Sequence, residues 1–113
     1  MASRDNVKID RDNRVIVLSD NIDNNTAGAI QAYLLEVSLF DDSEDDSKKD
    51  YKREPIKLYI NSCGGSVPDT WAIIDTIKSI TTPVYTYCTG YAYSGGFLLF
   101  LSGEKRYGSK HAV

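Results

Sequence analysis

A lone serine among glycines, at the end of an apolar strand, is a place where acyl-transfer chemistry could occur. Thr89–Phe97 reads TGYAYSGGF, with Ser94 as its single serine. A hydroxyl there can attack a carbonyl carbon if a neighbour takes its proton and backbone N–H groups hold the oxyanion. The same residue reads equally well as a turn serine that caps the next helix. A second glycine-rich corner, Asn61–Ser66, reads NSCGGS, and Gly64 and Gly65 would let backbone N–H groups approach a ligand oxygen. Neither corner fits a common signature. No Gly-Lys-Ser/Thr follows NSCGGS, so it is not a phosphate-binding loop. Ala92 stands where the Gly-x-Ser-x-Gly elbow has its first glycine. The chain holds one histidine, His111.

Alternating elements must position these corners. Arg14–Leu18 (RVIVL) is β-branched and predicts a buried strand. DNIDNNT follows as a turn, in which Asn24 or Asn25 could cap a helix running to about Phe40. Ala27, Ile30, Leu34 and Val37 give that helix its apolar stripe. Residues 41–54 read as a solvated acidic loop, a surface insertion whose one apolar anchor is Tyr51. Lys57–Ile60 (KLYI) is a second strand that runs into NSCGGS. Ser66 and Asp69 form a capping box with Pro68 in the first turn, and Val67, Trp71, Ile74, Ile77 and Ile80 continue the helix. Val84–Cys88 (VYTYC) is a third strand. Phe97–Leu101 reads as a helix that stops at Gly103, and KRYGSKHAV as the start of a strand pair. The order β-α-β-α-β-α predicts α/β layers with largely parallel strands in a single domain, 1–113. Both glycine-rich corners then fall between a strand's end and a helix's start, the edge where such sheets bind ligands.

Composition excludes several classes. The 13 basic and 16 acidic residues leave a net charge of −3. Residues 41–54 alone carry seven acids and four bases, so the remainder is formally neutral and offers no basic face to nucleic acid. No apolar run approaches the length of a membrane span. The N-terminal stretch MASRDNVKID is too polar for a secretory signal. Cys63 and Cys88 are too few for a disulfide framework and lack metal spacing, so they read as thiols in a reducing compartment. No metal and no cofactor are expected.

The two corners together carry a resemblance. LYINSCGGS (Leu58–Ser66) followed by GYAYSGGFLLFLSG (Gly90–Gly103) resembles the proteolytic subunit of the ATP-dependent Clp protease. That family shows Ile-Asn-Ser-Pro-Gly-Gly at a strand end, then a helix, a strand and Gly-x-Ala-Ala-Ser-x-Gly. Ile60, Asn61, Ser62, Gly64 and Gly65 match the first motif; Gly90, Ala92, Ser94 and Gly96 match the second. The likeness extends to RVIVLSDNID and AIIDTIKSI and covers about Arg14 to Tyr107. The resemblance implies the Clp protease/crotonase-like spiral of β-α units, incomplete at its C-terminal end. It implies Ser94 as nucleophile, the N–H groups of Gly65 and Gly95 as oxyanion hole, and Gly64 and Ser66 along an extended peptide that adds as a strand. It also implies a cytoplasmic serine endopeptidase that assembles in homo-oligomeric rings and degrades unfolded polypeptides fed by an ATP-dependent unfoldase of the AAA+ class. Helices bearing Ile30, Leu34 and Trp71 would supply ring contacts.

The chain also departs from that pattern. Cys63 replaces proline and reads as a buried or inert thiol. Tyr93 replaces a small residue beside Ser94, and Gly95 replaces a larger one. By the resemblance the catalytic histidine falls just after Val113, and the aspartate further on. His111 falls several residues early, at a turn position, so the base is expected beyond this chain, a fragment or truncated form without activity of its own. Two other functions fit these residues: a non-catalytic ring or scaffold subunit of the same fold, and an acyl-CoA-binding crotonase-like protein.

Overall fold

The computed structural model describes residues 2–3 and 6–113. Strands β1 (Ala2–Ser3), β2 (Val7–Asp10), β3 (Val15–Ile22), β4 (Ile56–Gly65), β5 (Val84–Ala92) and β6 (Lys105–Gly108) form one sheet in that order. The first two pairings are antiparallel; β3, β4, β5 and β6 run parallel. Helices α1 (Asn24–Ser47), α2 (Val67–Ser79) and α3 (Gly95–Leu101) make the three crossovers between parallel strands. Each crossover steps one strand further in the same direction. Because such crossovers are right-handed, all three helices fall on one face of the sheet. This is the expected mixed α/β architecture.

The burial pattern follows from the pleat. Ile56, Leu58 and Ile60 of β4 are fully buried, as are Ile16, Leu18 and Ile22 of β3, while the residues between them are only partly covered or, at Asp20 and Asn21, exposed. The inward rows meet Ile30, Tyr33 and Leu34 of α1, Ile73, Ile74 and Ile77 of α2, and Leu99 of α3. Each such side chain contributes about 1.5–3 kcal/mol through removal from water. The opposite face carries a cross-strand aromatic row. Tyr59 stacks on Tyr87 (4.5 Å between centroids) and Tyr87 on Tyr107 (4.8 Å), at positions that the strand register aligns.

Several expectations need correction. A strand pair precedes Arg14, where no element was expected. The three central strands run longer than their apolar cores, so most of both glycine-rich corners is extended backbone rather than turn. Asp23, not Asn24 or Asn25, caps α1; its Oδ1 accepts the N–H of Thr26 at 2.8 Å. Ser66 caps α2 as expected, its Oγ accepting from the N–H of Asp69 at 3.4 Å, but the box does not close: the Ser66 N–H goes to the Ile22 carbonyl and not to the Asp69 carboxylate. Ile30 and Leu34 are sealed in the core and are not free for ring contacts; the outward face of α1 carries Leu35, Leu39 and Phe40 instead. Phe97, Leu98 and Leu101 are also largely exposed, so the apolar run after Ser94 buries chiefly Leu99.

The acidic segment is the largest correction. α1 continues two turns past Phe40, and Asp41 is completely buried. Arg14 grips it with two N–H···O bonds of 2.9 and 2.8 Å, and the Tyr51 and Thr82 hydroxyls donate to it at 2.6 and 2.7 Å. Burial pushes the Asp41 carboxyl up, but the hydrogen bonds from Arg14, Tyr51 and Thr82 outweigh it and hold the group down at about 2. Arg53 bonds Asp42, Asp45 and Thr82. Polar bonds thus hold the last turns of α1 where the apolar stripe has ended.

Candidate active site

Ser94 lies at the abrupt passage from β5 to α3. Its backbone sits at φ 50°, ψ −121°, one of three positive-φ residues other than glycine among those described. A residue with a Cβ is strained there by about 1–3 kcal/mol. The side chain is exposed and does not cap α3, although Ser94 occupies the capping position. The main chain does the local work: the Ser94 carbonyl accepts the N–H groups of Phe97 (3.0 Å) and Leu98 (3.1 Å). A serine held on a strained strand-to-helix turn with a free hydroxyl is the geometry of a nucleophile elbow. The sequence lacks the first of that motif's two glycines, with Ala92 in its place, and carries the second as Gly96, so the backbone shows the turn more plainly than the motif does.

The two corners meet. A Cβ on Gly64 would come within 2.7 Å of the Gly95 nitrogen and 3.2 Å of the Ser94 Cβ. Gly64 also has φ +96°, so position 64 admits no side chain on either count. Gly95 opens α3, and the first N–H groups of a helix have no intrahelical acceptor. Gly96 already donates to the Tyr93 carbonyl (2.8 Å). Gly65 is exposed at the end of β4.

Other predicted residues are placed as follows. The Gly64 N–H is taken by Ser62 Oγ (3.0 Å), and Ser66 spends its hydroxyl on capping α2 and its N–H on the Ile22 carbonyl (2.9 Å). Cys63 is exposed rather than buried; Cys88 is buried, which pushes its thiol up. Tyr93 is half exposed and packs at a tilt against Tyr91, with centroids 5.2 Å apart. His111 lies exposed in a turn closed by the Ala112 N–H on the Ser109 carbonyl (3.1 Å). Among the described residues no side chain hydrogen-bonds the Ser94 hydroxyl. Beyond that turn, Val113 pairs with Gly90 and Ala92 (2.9 and 3.0 Å), alongside the end of β5 that leads to Ser94.

Sequence reasoning passed over two residues that build the site. Asn61 Oδ1 accepts the N–H of Tyr91 (3.2 Å), and Ser62 is fully buried between the corners. Both lie within the first matched motif, which was the one signal that could have found them. The family model of the Clp protease matches residues 3–112. The match spans both corners, the helix between them and the strands that carry them, and the chain belongs to the Clp protease family.

Proposed function

We propose that this chain is a subunit, or part of one, of a serine endopeptidase in which Ser94 is the nucleophile. The observation that carries this is Ser94 itself. Strained, exposed and uncommitted, it stands against the glycine-rich end of β4. Its Oγ would attack the scissile carbonyl, and the N–H groups of Gly65 and Gly95 would receive the oxyanion. A substrate would lie extended along the exposed end of β4, bound through its main chain and hence with little sequence preference. Substrates would be unfolded polypeptides, delivered into a ring of subunits by an ATP-dependent unfoldase.

The proton must leave Ser94 for a base, and His111 in its exposed turn is poorly placed to take it. We assign the base to a residue outside these 113. A second reading, a non-catalytic ring subunit of the same fold, is favoured by the lack of a side-chain partner for the Ser94 hydroxyl among the described residues.

Turnover of a fluorogenic unfolded peptide separates them. The full-length assembled protein is expected to hydrolyse it, and Ser94→Ala to abolish that; absence of hydrolysis in the full-length protein favours the ring-subunit reading. The 113-residue chain alone is expected to show none. Turnover by that chain, lost in His111→Ala, would show that His111 is the base after all.

A further inference from the structure

We propose that Ser62 is a positioning residue that sets the spacing between the two corners; this rests on the acyl-transfer function proposed above. Ser62 is completely buried, where a hydroxyl persists only if its polar atoms are partnered. Its Oγ donates to the carbonyl of Asp20 in β3 (2.5 Å) and accepts the N–H of Gly64 (3.0 Å). Its carbonyl accepts the N–H of Tyr93 (3.0 Å), the residue before Ser94. One residue therefore ties β3, the first corner and the second.

This bracing is needed because both ladders break here. The β3–β4 register shifts between Ser19 and Asn21, and the β4–β5 register between Ile60 and Ser62. A bulge leaves backbone groups without ladder partners. The hydroxyl of Ser62 supplies a partner to Asp20, the residue that the β3–β4 ladder skips, and its carbonyl carries the pairing with β5 past the second break to Tyr93. The first turn of α3 is seated on the same residue, since a Cβ on Gly96 would come within 2.5 Å of the Ser62 carbonyl oxygen. Ser62 touches no reacting atom. Its hydroxyl takes the Gly64 N–H and leaves those of Gly65 and Gly95 for the oxyanion. Without the hydroxyl, the first corner loses one of its ties to β3 and the Gly64 N–H loses its acceptor, while Ser66 still holds the Ile22 carbonyl and the second corner stays fixed by the carbonyl of Ser62. The two donors then drift relative to Ser94, and a misplacement of about 1 Å costs about 100-fold in rate.

The test uses a fluorophosphonate on the full-length assembled protein. Ser94 Oγ bonds to phosphorus, fluoride leaves, and the hydroxyl proton passes to the base. Ser62→Ala is expected to slow this labelling about 100-fold and to lower kcat for peptide in step, with KM little changed. Ser62→Cys puts a slightly larger, far weaker donor and acceptor at the same place, and its folded fraction is expected to lose rate in the same direction. Folded variants that label at the wild-type rate overturn the proposal, as does a loss that merely tracks the folded fraction or falls on KM. A wild-type protein that is not labelled at Ser94 overturns the acyl-transfer function itself, a distinct result.

Discussion

Gly64 and Ser94 show how two residues constrain each other. Gly64 has φ +96° and lies so close to the Ser94–Gly95 peptide that no Cβ fits between them. Gly64→Ala is therefore expected to cost about 1–3 kcal/mol of stability, read as a lowered urea midpoint, and to push the two corners apart. Peptide turnover by the full-length protein should fall by more than the loss of folded protein accounts for. A Gly64→Ala protein of undiminished activity would show that the corners do not cooperate. Ser94→Ala is the converse case. It removes the hydroxyl and leaves a Cβ at the same φ, so stability should change by less than about 0.5 kcal/mol while activity vanishes.

At the scale of elements, the far end of α1 is held by charge rather than by apolar contact. Removing one partner of a buried ion pair leaves the other uncompensated, so Asp41→Ala should cost about 3 kcal/mol or more. Asp46, exposed and a few residues on, should tolerate Asp46→Lys within about 0.5 kcal/mol. Chemical denaturation of the two variants compares them directly. Asp41 also makes stability depend on pH. Its folded value of about 2 lies below the ordinary 3.8, so the stabilisation is present above about pH 4. It is lost as pH falls through 4 towards 2, a loss of about 2 kcal/mol. Asp10 and Asp23 are lowered too, by hydrogen bonds from Asn13 and Thr26, so the informative quantity is the difference between wild type and Asp41→Asn. That difference should shrink by about 2 kcal/mol across this window. This helix end also marks what was legible. Strand alternation, the stripe of α1, the Ile74 and Ile77 face of α2 and the Ser66 cap were readable because apolar periodicity and local caps are written in neighbouring residues, whereas Val67 and Trp71 lie exposed and Ile73 takes their place in the core. The embrace of Asp41 by Arg14, Tyr51 and Thr82 joins segments distant in sequence, and periodicity reads only apolar faces. Ser94 and the glycines could be picked out as a pair of corners. The bracing role of Ser62 could not, because it depends on register breaks that no single strand reveals.

The whole molecule leaves apolar surface uncovered. Leu35, Leu39 and Phe40 of α1, Trp71 of α2, and Phe97, Leu98 and Leu101 of α3 are all exposed. Family membership implies oligomeric rings and a protein substrate in general terms. The chain is therefore expected to associate in a concentration-dependent way in sedimentation velocity, and Leu101→Glu to shift it towards monomer. A wild-type chain that stays monomeric at all concentrations would show these faces to be inert. The claim on which all else depends is that Ser94 is a nucleophile served by both corners. Fluorophosphonate labelling of the full-length assembled protein, mapped by mass spectrometry of the tryptic peptide that runs from Ser79 to Lys105, tests it most directly. An adduct on Ser94, and none in Ser94→Ala, is the expected result. An unmodified Ser94, or an adduct on Ser79 or Ser102 that persists in Ser94→Ala, would contradict it.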